Sequence, residues 1–417
     1  MRKRVVITGL GAITPIGNDV KTLWDNAVKG VNGIDFIKGF STEENEIKIG
    51  GEIKGFDFVE KFGKKEMKRM DRFVQLAMVS AEEAMDDAAF DLSHHDLNRF
   101  GVYYGSGIGG LDTIAKQEDV AQNRGYRRIS PFFIPSAIIN IAAGQIAIKY
   151  GLKGAAISTV TACASATNSI GEAFRAIRDG YLDVCVTGGA EGSLIPLGIG
   201  GFNSMKALNK SNNPLRASIP FDKERTGFVM GEGSGTLVLE SLEHALNRGA
   251  KIYAELGGYA ATCDAYHITS PDLTAEGAAN CMRMAVEDAG LKLEDVDYIN
   301  AHGTSTQLND VTETLAIKKT FNNHAYKLNV SSSKSMTGHL LGASGAVEAI
   351  LSILSVKNDT ITPTINTKEL DEACDLNYTL GHSIKKEVHC ALSNSLGFGG
   401  HNATILVKKY KEETDVK

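Results

Sequence analysis

The sequence predicts an α/β protein assembled from two similar halves, and three observations carry that prediction. Residues 84–92 match residues 285–293 without a gap, an offset of 201 (92 to 293), and self-similarity on this scale marks duplicated units. Each copy closes a helix pattern and is followed by a short apolar strand signal, at residues 101–104 and 296–299. A second helix stripe, Ile170, Ala173, Phe174 and Ile177, recurs as Val347, Ile350, Leu351 and Leu354 at an offset of 177 (170 to 347). The fall in offset from 201 to 177 expects about 24 extra residues in the first half, most economically between 110 and 145. The halves are drawn at residues 1–250 and 251–412.

Taken in order, the chain opens with Arg2, Lys3 and Arg4 and then an apolar run that imitates a signal peptide. Gly9, Gly11 and Pro15 interrupt that run and no small-residue cleavage site follows, so it reads as a first buried strand and turn. No stretch is long enough to span a bilayer. Gly105, Gly107 and Gly110 satisfy GxGxxG directly after the strand at 101–104. No helix pattern of the required kind follows, and Glu118 and Asp119 lie in a polar stretch, which argues against a dinucleotide site. A loop that admits a bulky substrate chain close to the backbone fits better.

Cys163 stands where the β-branched run 157–161 gives way to the helix carrying Ile170 to Ile177, which Arg175, Arg178 and Gly180 close. The amides and dipole of a helix start favour a thiolate, so Cys163 is a candidate nucleophile; a small buried hydrophobe is the alternative. Adding 177 to 163 lands beside His339, which also lies between a strand signal (328–330) and a helix. If the halves pack about a pseudo-twofold axis, nucleophile and histidine share one cleft. His302 ends another strand, where α/β enzymes present ligand-facing side chains, or is structural. Thr304 and Thr306 either cap the turn after it or bond a polar ligand arm. Lys334 and Glu348 flank His339 as scaffold or as chemistry, and the glycine-rich turn around Phe398 and Gly399 is a hairpin connection or a mobile loop with an oxyanion-binding amide.

With 43% hydrophobic and 23% charged residues, the 417-residue chain can bury a deep, dry site. A net charge of −6 argues against a general nucleic-acid binder. Six cysteines without a CxxC pair suggest neither a disulfide framework nor a metal site, and fit a reducing cytoplasm. Basic residues are still locally dense at Lys61, Lys64, Lys65, Lys68 and Arg69, at Arg124, Arg127 and Arg128, and at Lys206 and Lys210. They form solvated faces or a docking surface for an acidic macromolecule.

Four ordered motifs then carry a resemblance: Thr161-Ala162-Cys163-Ala164-Ser165, His302-Gly303-Thr304-Ser305-Thr306, Lys334-Ser335-Met336-Thr337-Gly338-His339 and Asn394-Ser395-Leu396-Gly397-Phe398-Gly399-Gly400. From residue 3 to 410 the chain resembles the decarboxylating β-ketoacyl-acyl carrier protein synthases, most closely the synthase II branch of bacterial type II fatty acid synthesis. The resemblance implies the thiolase fold, five layers αβαβα with mixed sheets, as a homodimer. It implies an acyltransferase that condenses an acyl-enzyme thioester with malonyl carrier protein and extends the chain by two carbons, with no metal and no other cofactor. By position it makes Cys163 the acyl-accepting nucleophile, His302 and His339 its paired histidines, and Lys334 and Glu348 their supporting pair. Phe398 and Gly399 become the gate beside the oxyanion site, and Asp264 and Thr269 belong to the second loop that moves with it, Thr269 as a substrate-binding residue. Ile108, Phe133 and Phe202 line the acyl pocket, while Thr304 and Thr306 meet the pantetheine arm. Lys64, Lys65, Lys68, Arg69, Arg127, Arg128 and Lys206 meet the acyl carrier protein. Two departures, Gln307-Leu308-Asn309 and Leu396, touch no catalytic position.

Overall fold

In the computed structural model, which describes residues 2–411, ten strands form two five-stranded sheets joined edge to edge. The outer limits of the expected halves, residues 1 and 412, lie outside the described residues. The first sheet contains β1 (Val5–Ile13), β2 (Phe100–Gly105), β3 (Ala156–Ile157), β4 (Val184–Glu191) and β5 (Gly233–Ser241). The second contains β6 (Ala254–Cys263), β7 (Tyr298–Asn300), β8 (Asn329–Ser331), β9 (Cys390–Gly397) and β10 (His401–Lys408). The orders are β3-β2-β4-β5-β1 and β8-β7-β9-β10-β6, the same path drawn twice. Directions repeat as well: β2 runs parallel to β3 and β4, and β7 parallel to β8 and β9, whereas β4/β5, β5/β1, β9/β10 and β10/β6 are antiparallel. Val5 to Ile7 of β1 pair with Leu256 to Ala254 of β6 and join the sheets.

Helices complete five layers, αβαβα, with mixed sheets. Helix α1 (Arg72–Ala88) packs on β1, β4 and β5 together with α2 (Ile141–Tyr150). Helix α4 (Glu276–Asp288) covers β6, β9 and β10 beside α5 (Gln307–Phe321). Between the sheets lie α3 (Ser165–Arg178) and α6 (Ser344–Asn358), each touching strands of both sheets and each other. A helix with sheets on both sides has no solvent-facing side, and every residue of α6 from Ser344 to Val356 is buried. The glycines that break the apolar run of β1 have a packing reason. A Cβ on Gly9 would sit 2.3 Å from the Ala84 carbonyl, and one on Gly11 1.9 Å from that of Ser80, so α1 lies against bare backbone.

Three expectations change. The β-branched run before Cys163 forms only the two-residue, exposed edge strand β3, because nothing among the described residues covers it. A helix does follow the glycine-rich loop, at Leu111–Arg124, but it buries only Ala121. Its support comes from pairs one turn apart, Asp112 with Lys116, Glu118 with Gln122 and Asp119 with Asn123, which apolar periodicity cannot reveal. Finally, the image of Cys163 is Gly342 rather than the residue beside His339. The 3-10 turns Ala162–Ala164 and Leu341–Ala343 precede α3 and α6 in the same way, and their first residues share a left-handed φ, 51° and 49°. The extra residues of the first half fall in the β2 to α2 link, 106–140, against 301–306 in the second half.

Candidate active site

Cys163 sits at the middle of its turn, 9% exposed, packed with Ile199, Phe228, Met230 and Leu341 in an apolar cluster that Ile108 and Phe202 border. The backbone amides of Phe398 and of Cys163 itself both face the sulfur. Burial nevertheless pushes the thiol up to about 12, with the Lys334 charge opposing and the Glu191 carboxyl adding to the rise. The expected resting thiolate is therefore corrected: removing a charge from water outweighs two amides at a helix start, and Cys163 rests as a thiol.

His302 and His339 approach edge to face, ring centroids 5.3 Å apart, and are 2% and 3% exposed. Burial, then the Lys334 ammonium, holds both imidazoles well below their ordinary value. They are neutral N–H donors at neutral pH. The tautomer of His339 follows from geometry, since the Leu341 amide donates to its Nδ1 at 3.3 Å and an amide can only donate. Nδ1 thus accepts, also from the Ser344 hydroxyl at 2.9 Å, and the ring proton lies on Nε2. Lys334 and Glu348 form an ion pair in which both side chains are buried. Burial drives the Glu348 carboxyl upward against the pull of Lys334.

The turn that holds Phe398 and Gly399 is tied to the loop of Asp264 through backbone. The Gly399 amide donates to the Ile268 carbonyl at 2.8 Å, and the Asp264 amide to the Gly400 carbonyl at 2.8 Å. The Asp264 side chain accepts from Asn402 at 2.7 Å and the Asp272 amide at 3.1 Å. The Phe398 ring lies 6.4 Å from that of Phe202, which touches Phe228, whose ring stands 5.3 Å from His339. Thr304 and Thr306 join their hydroxyls at 3.0 Å. Thr269 instead bonds His267 within its own loop.

Phe133 does not join the Cys163 cluster. It lines a separate cleft of about 590 Å³ with Lys68, Arg72 and Phe132. Lys64, Lys65 and Lys68 are exposed on and after the helix Phe58–Met67, and Arg127 and Arg128 on the 3-10 turn Tyr126–Arg128. Arg69 lies 5.0 Å over the ring of Phe132, which follows that turn. Lys206 is exposed after the helix Pro196–Ser204, on the Phe202 side.

Three residues escaped the sequence reading. Glu313 accepts the amides of His302 and Gly303 at 2.8 Å each, and burial lifts its carboxyl to about 7. Ser344 orients His339 as described. Glu191, fully buried, accepts the amides of Gly107 at 2.8 Å, Ile108 at 3.3 Å and Gly342 at 3.1 Å, and the hydroxyls of Ser106 and Ser193. The amides of the GxGxxG loop thus already hold a carboxylate, which removes its phosphate-binding reading. Only the charge of Glu191, in a strand otherwise apolar or small, marked it in the sequence.

Fold and site together define a thiolase-fold enzyme with a buried thiol whose apolar cluster adjoins a pair of neutral histidines. The chain belongs to the beta-ketoacyl synthase family: the model of the N-terminal domain of that family matches residues 2–245, and that of the C-terminal domain residues 253–368. It is 51% identical over 411 residues, 98% of this chain and 99% of the relative, to the 3-oxoacyl-[acyl-carrier-protein] synthase 2 of Synechocystis sp.. Identity to the synthase 2 of Staphylococcus aureus is 50% over 409 residues, 98% and 99% of the two chains. Among solved structures it is similar to a Burkholderia phymatum beta-ketoacyl synthase, with TM-score 0.91, 33% identity, and 98% and 100% coverage. It also resembles the ketosynthase of a complex described as a type II PKS acyl-carrier protein with its ketosynthase bound to the hexaketide, with TM-score 0.91, 34% identity, and 98% and 100% coverage.

Proposed function

We propose that the chain is a 3-oxoacyl-[acyl-carrier-protein] synthase, which joins an acyl group held on Cys163 to a malonyl unit delivered by acyl carrier protein. The observation that carries this reading is the pairing of His302 with His339, two buried neutral imidazoles joined to the Cys163 cluster through Phe228. In acyl transfer the Cys163 sulfur bonds the acyl carbon as the bond from that carbon to the carrier sulfur breaks, and the Cys163 proton ends on the departing carrier thiol. The oxygen that gains charge meets the amides of Cys163 and Phe398. Malonyl carrier protein then enters and its carboxyl leaves as carbon dioxide, placing the electron pair of the broken bond on the thioester enolate. Two neutral N–H donors in a dry cleft stabilise that enolate without first giving up a proton. The enolate carbon attacks the acyl carbonyl, Cys163 departs and takes up one proton, and the product is a β-ketoacyl thioester two carbons longer. Burial, with the Lys334 charge adding to it, keeps both imidazoles neutral, and Glu348 balances that charge.

Ile108 and Phe202, which share the apolar cluster of Cys163, wall the acyl chain, and Thr304 and Thr306 receive the pantetheine arm. Phe398, Gly399, Asp264 and Thr269 gate the entry, and Lys64, Lys65, Lys68, Arg69, Arg127, Arg128 and Lys206 dock the acidic carrier. A homodimer covers the apolar residues left exposed near β3, among them Ile134, Ile148, Ile157 and Val160, and Phe133 belongs to that face. The units divide at residues 250 and 251. Six free cysteines suit a reducing cytoplasm. The test incubates the protein with acyl and malonyl carrier protein, with coenzyme A thioesters as control, and weighs the product. A β-keto product on the carrier is expected; its absence overturns the reading.

A further inference from the structure

The two turns that open α3 and α6 are images of each other, and so are the strands that face them. Strands β4 and β9 each run parallel to the strand that opens the crossover and antiparallel to the next. Both have eight residues, so their last residues, Glu191 and Gly397, correspond. A Cβ on Gly397 would point at the nucleophile turn, 2.7 Å from the Thr161 carbonyl and 3.3 Å from the Cys163 amide. Its absence leaves that anion hole open for a substrate oxygen. In the other half the corresponding side chain exists, and the Glu191 carboxylate takes the Gly342 amide that corresponds to the Cys163 amide.

From this symmetry we infer that Glu191 is a positioning residue, an internal anion that fills the second hole and fixes both the Ile108 wall and the His339 loop against Cys163. The inference rests on the condensing role proposed for Cys163. Three segments distant in sequence converge on the carboxylate: Ser106 to Ile108 after β2, Ser193 after β4, and Gly342 three residues beyond His339. Close fit adds to the hydrogen bonds. A Cβ on Gly342 would lie 2.2 Å from the Gly107 nitrogen and 2.7 Å from Glu191 Oε2. Three backbone amides aimed at two oxygens leave no geometry for a second donor, so an amide side chain would set N–H against N–H.

Glu191→Gln tests this in the full-length protein. The expected result is a kcat for condensation lower by about 100-fold, the scale of a misplaced reacting group, with the KM for malonyl carrier protein little changed. The pH profile for iodoacetamide alkylation of Cys163 should also move to lower pH, because a negative neighbour has gone. A purely structural loss would lower the melting temperature without moving that profile. Folded Glu191→Gln with wild-type kcat, or with an unmoved profile, overturns the inference. Should that variant not fold, Ser193→Ala removes one donor from the carboxylate and should lower kcat several-fold at constant KM; an unchanged kcat overturns the inference there. Failure of the wild-type protein to condense would count against the proposed function instead, since the alkylation profile reads Glu191 independently.

Discussion

The turn at Cys163 and the turn at Gly342 have one backbone and opposite contents. Each starts with a residue at φ near 50°, closes a 3-10 turn and opens a buried helix in the central layer. One presents a thiol to an open hole; the other presents a bare amide to a built-in carboxylate. The difference teaches that a duplicated fold offers two anion sites and that a single strand-end residue, Gly397 or Glu191, decides which receives substrate. In the proposed reaction, catalysis needs the asymmetry, because the half that lost its hole lends its loop, through His339, to the other.

The largest expected effect comes from emptying the active turn. Cys163→Ala should abolish condensation while carbon dioxide release from malonyl carrier protein stays measurable; condensation by this variant would break the comparison. Conversely, His302→Ala or His339→Ala should cut carbon dioxide release by about 100-fold, as loss of an oxyanion donor does, which a radiolabelled malonyl group reports. Closing the open hole comes next. Gly397→Ala would press a methyl toward the Cys163 amide and should slow acyl transfer by roughly 10-fold or more, read as the rate of acyl-enzyme formation by mass spectrometry.

A smaller effect belongs to the surface of the first half. Charge reversal at Lys64, Lys65 and Arg69 should raise the KM for carrier-borne substrate and leave that for a small thioester unchanged, with the difference shrinking in high salt. Equal rises in both would remove docking from that face. The smallest effect concerns pH. The folded imidazoles titrate well below 6.5, so carbon dioxide release should stay level as pH falls to 6.5. Below 6.5 the unfolded chain binds protons that the folded chain refuses, so stability should fall as pH falls, which thermal melts measure. Ser344→Ala removes one of two donors from His339 Nδ1 and should shift the acid limb of carbon dioxide release upward, with only a several-fold loss of rate.

Much of this was legible because duplication and periodicity are local properties of the chain. The gapless match of residues 84–92 with 285–293 marks the ends of α1 and α4, which occupy the same place on their respective sheets. The stripe from Ile170 to Ile177 buried as its spacing required. Reading failed where stabilisation is not apolar or not local. The helix Leu111–Arg124 hides behind side-chain pairs, and β3 shrinks because its outer edge has no neighbour among the described residues.

By itself the sequence determined the two-part architecture, the place of Cys163 at a helix start and the motif residues around it, since these follow from residue type and spacing. Tertiary structure alone decided the protonation of the site and the residue opposite each hole. Burial of Cys163 outweighs its amides, and burial keeps His302 and His339 neutral, because desolvation depends on what the whole fold places around a group. The meeting of Glu191 with Gly107 and Gly342, 84 and 151 positions away, exists only once the sheets are joined and both halves close on the same cleft.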